Sequence, residues 1–223
     1  MNELDVKSLS PQSIKNLQLL SFPVPAAAGA RPGIDQARIA AAVREILLAI
    51  GEDPEREGLL ETPARVARAY GELFGGLAED PSTPLERTFT HEASDLVVIR
   101  DIPFHSMCEH HLLPFFGTAA IAYIPAGRVA GLSKLPRAVE ILARRPQLQE
   151  RLTAQVADAV LATLGARGVS VATHAEHLCM RMRGAKAGNS FTTSIAHRGA
   201  HDTDRDLRQE VLAALELGSR TTR

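Results

Sequence analysis

Ser106-Met107-Cys108-Glu109-His110-His111-Leu112-Leu113-Pro114-Phe115 sets a thiol and an imidazole three residues apart, with a second imidazole between them. The other cysteine of the chain, Cys179, lies in Glu176-His177-Leu178-Cys179-Met180, so both thiols stand beside histidines. Zinc is bound by thiolate sulfur and by neutral imidazole nitrogen, and a C-x2-H spacing lets one turn present both to one ion. Cys179 must then arrive by folding. Residues 169–183 alternate like a strand, with Val171, Thr173, Ala175, His177 and Cys179 on one face, because residues two apart on a strand point the same way. Cys108, His111 and Cys179 would give zinc three protein ligands and leave its fourth position open, the pattern of catalytic rather than structural sites. His110 and His177 are left as proton carriers beside it. Spacing alone keeps other readings open: two cysteines buried as small hydrophobes, a disulfide, or a closed structural site with His110 or His177 as fourth ligand.

Working outward, residues 96–102 and 116–124 are β-rich and read as strands. The Cys108–His111 segment therefore falls in the connection between two strands, where a rigid scaffold commonly holds a site. Upstream, residues 1–33 are punctuated by Pro11, Pro23, Pro25, Pro32 and glycines and are expected to be a disordered tail. A short helix over residues 12–20 is the alternative there. Asp35 is expected to cap a helix carrying Ile39, Val43, Ile46 and Ile50, ended by Gly51. Thr62 is expected to cap a second, with Pro63 at its first position, where a missing N–H costs nothing. Downstream, Ser133 is expected to cap a helix with Leu135, Val139 and Leu142. Pro146 interrupts, and a helix with Leu148, Leu152, Val156, Val160 and Leu164 follows. Residues 169–183 and 191–196 read as a hairpin, and a last helix opens at Asp202 or Thr203. The fold class is α+β: an antiparallel four-stranded sheet with two helices on one face, an N-terminal helical hairpin over 34–90, and a C-terminal helix closing a domain over 91–223.

Composition narrows the function classes. The 223 residues are 45% hydrophobic, enough for a packed core, but only 4% aromatic with no Trp, so Leu, Val, Ile and Ala must fill it. A net charge of −1 gives no nucleic-acid or membrane signature. No apolar run reaches membrane-spanning length, and Glu3 and Asp5 break any signal-peptide pattern. Two cysteines beside histidines suit a reducing cytoplasm better than a disulfide framework.

The chain resembles GTP cyclohydrolase I. The blocks that carry the likeness are Glu61-Thr62-Pro63-Ala64-Arg65-Val66-Ala67, Ser106 to Pro114, Gly131-Leu132-Ser133-Lys134-Leu135, Gln149-Glu150-Arg151-Leu152-Thr153, His177-Leu178-Cys179-Met180 and Met182-Arg183-Gly184. They stand in the family's order with similar gaps, from about Ile34 onward. The resemblance implies the T-fold, whose sheets join edge to edge around a tunnel, and a decameric homo-oligomer with sites at subunit interfaces. It implies GTP as substrate, Zn2+ as cofactor, and conversion of GTP and water to 7,8-dihydroneopterin triphosphate and formate, in pterin and tetrahydrofolate biosynthesis. It places Cys108, His111 and Cys179 on zinc, and His110 and His177 as proton carriers. Ser133, Lys134, Arg137 and Arg183 hold the triphosphate, and Glu150, assisted by Gln149, holds the guanine. The residues themselves also allow plainer roles: Ser133 as an ordinary cap, Lys134, Arg137 and Arg183 as solvated cations, Glu150 as an exposed helix charge. Residues 92–95 and the short polar stretch 185–190 depart from the family pattern. His91, His105, His174, His197 and His201 have no spacing that assigns them a role.

Overall fold

The computed structural model describes residues 33–90, 92 and 95–216. The expected tail up to residue 32, the helix at 12–20 and His91 lie outside them. The described elements run α1 (Gln36–Ala49), α2 (Thr62–Leu73), a 3-10 turn (Gly75–Ala78), α3 (Ser82–Leu85), β1 (Thr88–Thr90), β2 (Val97–Cys108), β3 (Pro114–Ile124) and β4 (Arg128–Ala130). They continue as α4 (Lys134–Ala143), β5 (Pro146–Gln147), α5 (Gln149–Leu164), β6 (Gly168–His177), α6 (Leu178–Arg181), β7 (Thr192–Gly199), α7 (Ala200–Thr203) and α8 (Arg205–Glu216).

Asp35 caps α1 as expected, its carboxylate accepting from the Arg38 amide at 3.0 Å. Two other expected caps do not form. Thr62 is already helical, with Glu61 at the cap position, and Ser133 makes no side-chain capping bond. The C-terminal helix is instead started by Asp204, whose carboxylate accepts from the Asp206 and Leu207 amides at 3.0 and 3.1 Å. The segment 34–90, expected to be helical, also contributes β1, which pairs antiparallel with β4.

The expected antiparallel sheet forms in the order β2-β3-β6-β7, and β5 adds a parallel two-residue edge beside Met107 and Cys108. Pro146, read as a helix interruption, opens that short strand, a position where its missing N–H does no harm. α4 packs on β2, and α5 on β6 and β7. Between them lie Phe115, Ile121, Tyr123, Leu152, Val156, Val160, Val169 and Val171, all essentially fully buried. Each apolar side chain of that size contributes about 1.5–3 kcal/mol when taken out of water. Residues of the alternate register, Ala120, Ala172 and His174, line a cleft with Leu212 and Leu215 of α8, so the C-terminal helix lies over the opposite face.

Two strand boundaries differ from expectation. β2 runs on from Ile102 to Cys108, through a register shift between Ile99 and Ile102 where Asp101 takes a φ of 55°. Arg100, Asp101 and Pro103 hide this continuation in the sequence. β6 stops at His177, short of Cys179. Its last pairs are Phe115↔His177 on one side and Ala175↔Thr192 on the other. Beyond them no strand remains to pair the backbone, and the chain closes the helical turn α6 instead, with Met182 N–H donating to Leu178 O at 3.0 Å.

β6 and β7 also enclose two histidines. Ser170 Oγ lies 2.7 Å from His197 Nδ1 and 2.9 Å from His201 Nδ1. His201 is fully buried, in space left by Gly168, where a Cβ would come within 2.5 Å of the ring. Burial holds both histidines below the usual 6.5; Arg208 adds to this at His197, and His197 adds to it at His201. Asp202 at His197 and the Val169 backbone at His201 act the other way. A depressed folded-state pKa means that the unfolded chain takes up protons first. Stability is therefore complete above pH 6.5 and falls as the pH drops through 6.5 toward the depressed values. His201→Phe, which keeps the volume, is expected to lose less of its urea midpoint between pH 7.5 and 5.5 than the unmutated protein. An equal loss in both would remove His201 as a source of that pH dependence.

Candidate metal centre

The cluster is built where β2 ends. Cys108 is its last residue, and the loop after it is closed by Cys108 N–H to Leu113 O at 2.9 Å and Leu112 N–H to Cys108 O at 2.8 Å. Leu112 takes a left-handed φ of 50° in this tight return. The loop brings His111 Nδ1 to 3.9 Å from Cys108 Sγ. The pairing of Phe115 with His177 then delivers α6, and with it Cys179. One donor atom from each of Cys108, His111 and Cys179 lies within 4.8 Å of the others. The three expected ligands thus converge, although Cys179 reaches the site from a helical turn and not from the strand face.

The donor set fits a soft divalent cation. Two sulfurs and one imidazole nitrogen converge, and no carboxylate joins this cluster among the described residues. Burial pushes the Cys179 thiol up, and the neighbouring Cys108 adds to this, while Arg183 opposes it. Two thiolates side by side repel, and a cation held between them would offset that repulsion.

His177, the last residue of β6 and two before Cys179, has its ring parallel to that of Phe115, centroids 4.7 Å apart and planes 1° apart. Its Nε2 is 2.8 Å from Gln149 Oε1. Burial holds its pKa below 6.5, against the pull of Glu150. His110 is exposed, its ring perpendicular to that of His111 at 6.2 Å. Glu150 is exposed in the first turn of α5. Gln149 beside it is not: it is 1% exposed, and its amide is engaged by His177, Thr173 and Thr192.

Lys134 and Arg137 line a separate cleft of about 550 Å³ with Arg87, Arg144, Glu79, Asp80 and Glu140, and no member of the metal cluster lines it. They stand at the start of α4, whose far end is fixed to β2 by Ser106 Oγ donating to Ala143 O at 2.7 Å. The cleft follows α4 along its length, from Lys134 to Arg144. Arg183, exposed after α6, is near the thiols.

Sequence reading missed the residues that hold the metal loop. Arg151 donates to Glu109 in an ion pair, to Gln147 Oε1 at 3.0 Å and to Pro146 O at 3.0 Å. Gln147, 1% exposed, donates to Leu142 O and Gln155 Oε1, and its carbonyl accepts from the Glu109 amide at 3.0 Å. Glu109 lies inside the motif, but a partner 42 residues away leaves no spacing signal.

A family model described as GTP cyclohydrolase I matches residues 39–216. A GTP cyclohydrolase 1 of Corynebacterium glutamicum is 56% identical over 183 residues, covering 81% of this chain and 93% of the relative. The GTP cyclohydrolase 1 of Geobacillus kaustophilus is 56% identical over 186 residues, covering 83% and 99%. That of Carboxydothermus hydrogenoformans is 57% identical over 183 residues, covering 82% and 95%.

Cys108→Ala, His111→Ala and Cys179→Ala are each expected to lose stoichiometric metal, measured by elemental analysis, while keeping the far-ultraviolet circular dichroism of the parent. Full metal content in the His111 variant would reject that ligand. Chelation in air is expected to join Cys108 and Cys179 as a disulfide within one chain, since their sulfurs already lie within 4.8 Å. Peptide mass spectrometry that finds both thiols free, or paired between chains, would contradict the cluster as built here.

Proposed function

We propose, from the premise that the chain belongs to the GTP cyclohydrolase I family, that Cys108, His111 and Cys179 hold a catalytic zinc ion beside which His110 and His177 carry protons. The chain converts GTP and water to formate and 7,8-dihydroneopterin triphosphate, the reaction of that family. The observation that carries the metal reading is the meeting of two thiols and an imidazole from segments far apart in sequence, with only three such donors in the cluster among the described residues. A three-ligand set of this softness suits zinc in its catalytic form. When bound, zinc supplies Lewis acidity and water whose pKa is lowered to about 7.

The chain's own residues do the rest. His177, kept neutral by burial, is ready to accept a proton at pH 7. The Glu150 carboxylate, exposed at the head of α5, accepts from N1–H and the 2-amino group of guanine. Ser133, Lys134, Arg137 and Arg183 bind the triphosphate; Lys134 and Arg137 line a cleft along α4 with Arg87 and Arg144, beside the carboxylates of Glu79, Asp80 and Glu140. Because no member of the cluster lines that cleft within one chain, a complete site draws its two parts from different subunits. Uncovered apolar side chains fit such an assembly, Ile50 at 71%, Leu132 at 68% and Phe89 at 66% exposed. The open edge of β7 fits it too, and we read the assembly as a decameric ring. Both cysteines are unpaired, and no described helix is long and apolar enough to cross a membrane; a cytoplasmic enzyme of pterin and tetrahydrofolate biosynthesis is consistent with both.

Incubation of the zinc-loaded protein with GTP is expected to release one formate per pterin, followed by pterin absorbance and fluorescence. Absence of formate would reject the reading. Glu150→Gln is expected to raise the KM for GTP at least tenfold with zinc content unchanged, because a charge-assisted hydrogen bond is worth about 1.5–3 kcal/mol. An unaltered KM would remove Glu150 from the guanine site.

A further inference from the structure

Gln149 has a constrained amide. Its Nε2 lies 2.9 Å from Thr192 O, 3.1 Å from Thr173 O and 3.0 Å from Thr173 Oγ1. Two of these partners are carbonyl oxygens, which only accept. The amide nitrogen must therefore face them, because the flipped amide would set oxygen against oxygen twice. Its Oε1 is then turned to His177 Nε2, 2.8 Å away. An amide oxygen also only accepts, so the proton between them belongs to His177 Nε2.

The surrounding hydroxyls agree with that direction. Thr153 Oγ1 donates to Gln149 O at 2.7 Å, so the 2.7 Å contact between Thr153 Oγ1 and Thr173 Oγ1 is donated by Thr173. Thr173 Oγ1 keeps its lone pairs for the Gln149 amide. Gln149, Thr153 and Thr173 are at most 1% exposed, so solvent offers no alternative partner. The stack on Phe115 holds the plane of the His177 ring.

We infer that Gln149 is a positioning residue which locks neutral His177 in the tautomer with its proton on Nε2, leaving Nδ1 as the ring nitrogen that accepts the proton in the reaction. Thr173 and Thr192 choose this tautomer through the orientation of the Gln149 amide. The inference rests on the reading of His177 as a proton carrier. It gives Gln149 a role in turnover and not in affinity: a ring clamped in one plane with the wrong nitrogen protonated presents an N–H where a lone pair is needed.

The test uses the zinc-loaded, full-length protein. Solid-state 15N spectra of histidine-labelled protein at pH 7.5, with His177 assigned by its loss in His177→Asn, are expected to show Nε2 protonated and Nδ1 bare. Gln149→Leu is expected to lower kcat roughly 30-fold or more, within the span of general-base contributions, with the KM for GTP within about threefold of the parent. A proton on Nδ1 in the unmutated protein overturns the inference. So does Gln149→Leu with kcat unchanged, or with its loss confined to KM. Should Gln149→Leu fail to fold, the spectrum of the unmutated protein decides alone. Full kcat in His177→Asn would instead sink the reading of His177 as a proton carrier. Lost kcat there, with Gln149→Leu unaffected, sinks the positioning role only.

Discussion

Phe115 on β3 pairs with His177 on β6, and the Cys108–His111–Cys179 cluster forms because that register holds. The pairing continues for ten residues to Ile124 and Gly168. A slip of one residue would turn Ile121, Val169 and Val171 out of the core. The same apolar burial that stabilises the sheet therefore fixes where α6 begins. Since Cys179 is the second residue of α6, core packing sets the distance between the two thiols. The loop on the other side needs no such leverage, because Cys108 and His111 are joined by a single hydrogen-bonded turn.

Around that register sits a layer of buried polar side chains in an otherwise apolar core: Ser106, Gln147, Gln149, Thr153 and Thr173. Each has its partners. Ser106 ties α4 to β2, Gln147 ties α4 to α5, and Gln149 ties α5 to β6 and β7. A buried polar group left without a partner costs about 1–3 kcal/mol, so these residues fix relative positions more narrowly than Leu or Val contacts would. They lie at the end of the sheet that carries the cluster, where precise placement of His177 and of the metal loop matters most. Arg151 extends the layer to the surface through Glu109. Its guanidinium reaches three acceptors at once, which suits a planar fork and not an ammonium group.

The sequence by itself nominated the residues that converge, and the fold brought them together. Two cysteines, each beside a histidine, pointed to a shared metal site among other readings, the resemblance singled out Cys108, His111 and Cys179, and the alternation and helical stripes indicated the antiparallel sheet and its two helices. Local periodicity could not determine where strands end, because a strand ends where its neighbours end. Hence β6 stops at His177 although its pattern runs on, and β2 continues to Cys108 although Arg100, Asp101 and Pro103 interrupt its pattern. Caps were misread at Thr62 and Ser133 for a related reason: the residue type permits a cap, but the entry angle of the chain decides whether its side chain turns inward. Only tertiary structure decided the roles of Gln149 and Arg151. Neighbours in sequence on one helix, they differ in what they face: Gln149 points into the sheet toward His177, and Arg151 reaches across to the metal loop. Their partners lie 28 and 42 residues away, a separation that no spacing along the chain encodes and that the packing of α5 against the sheet supplies.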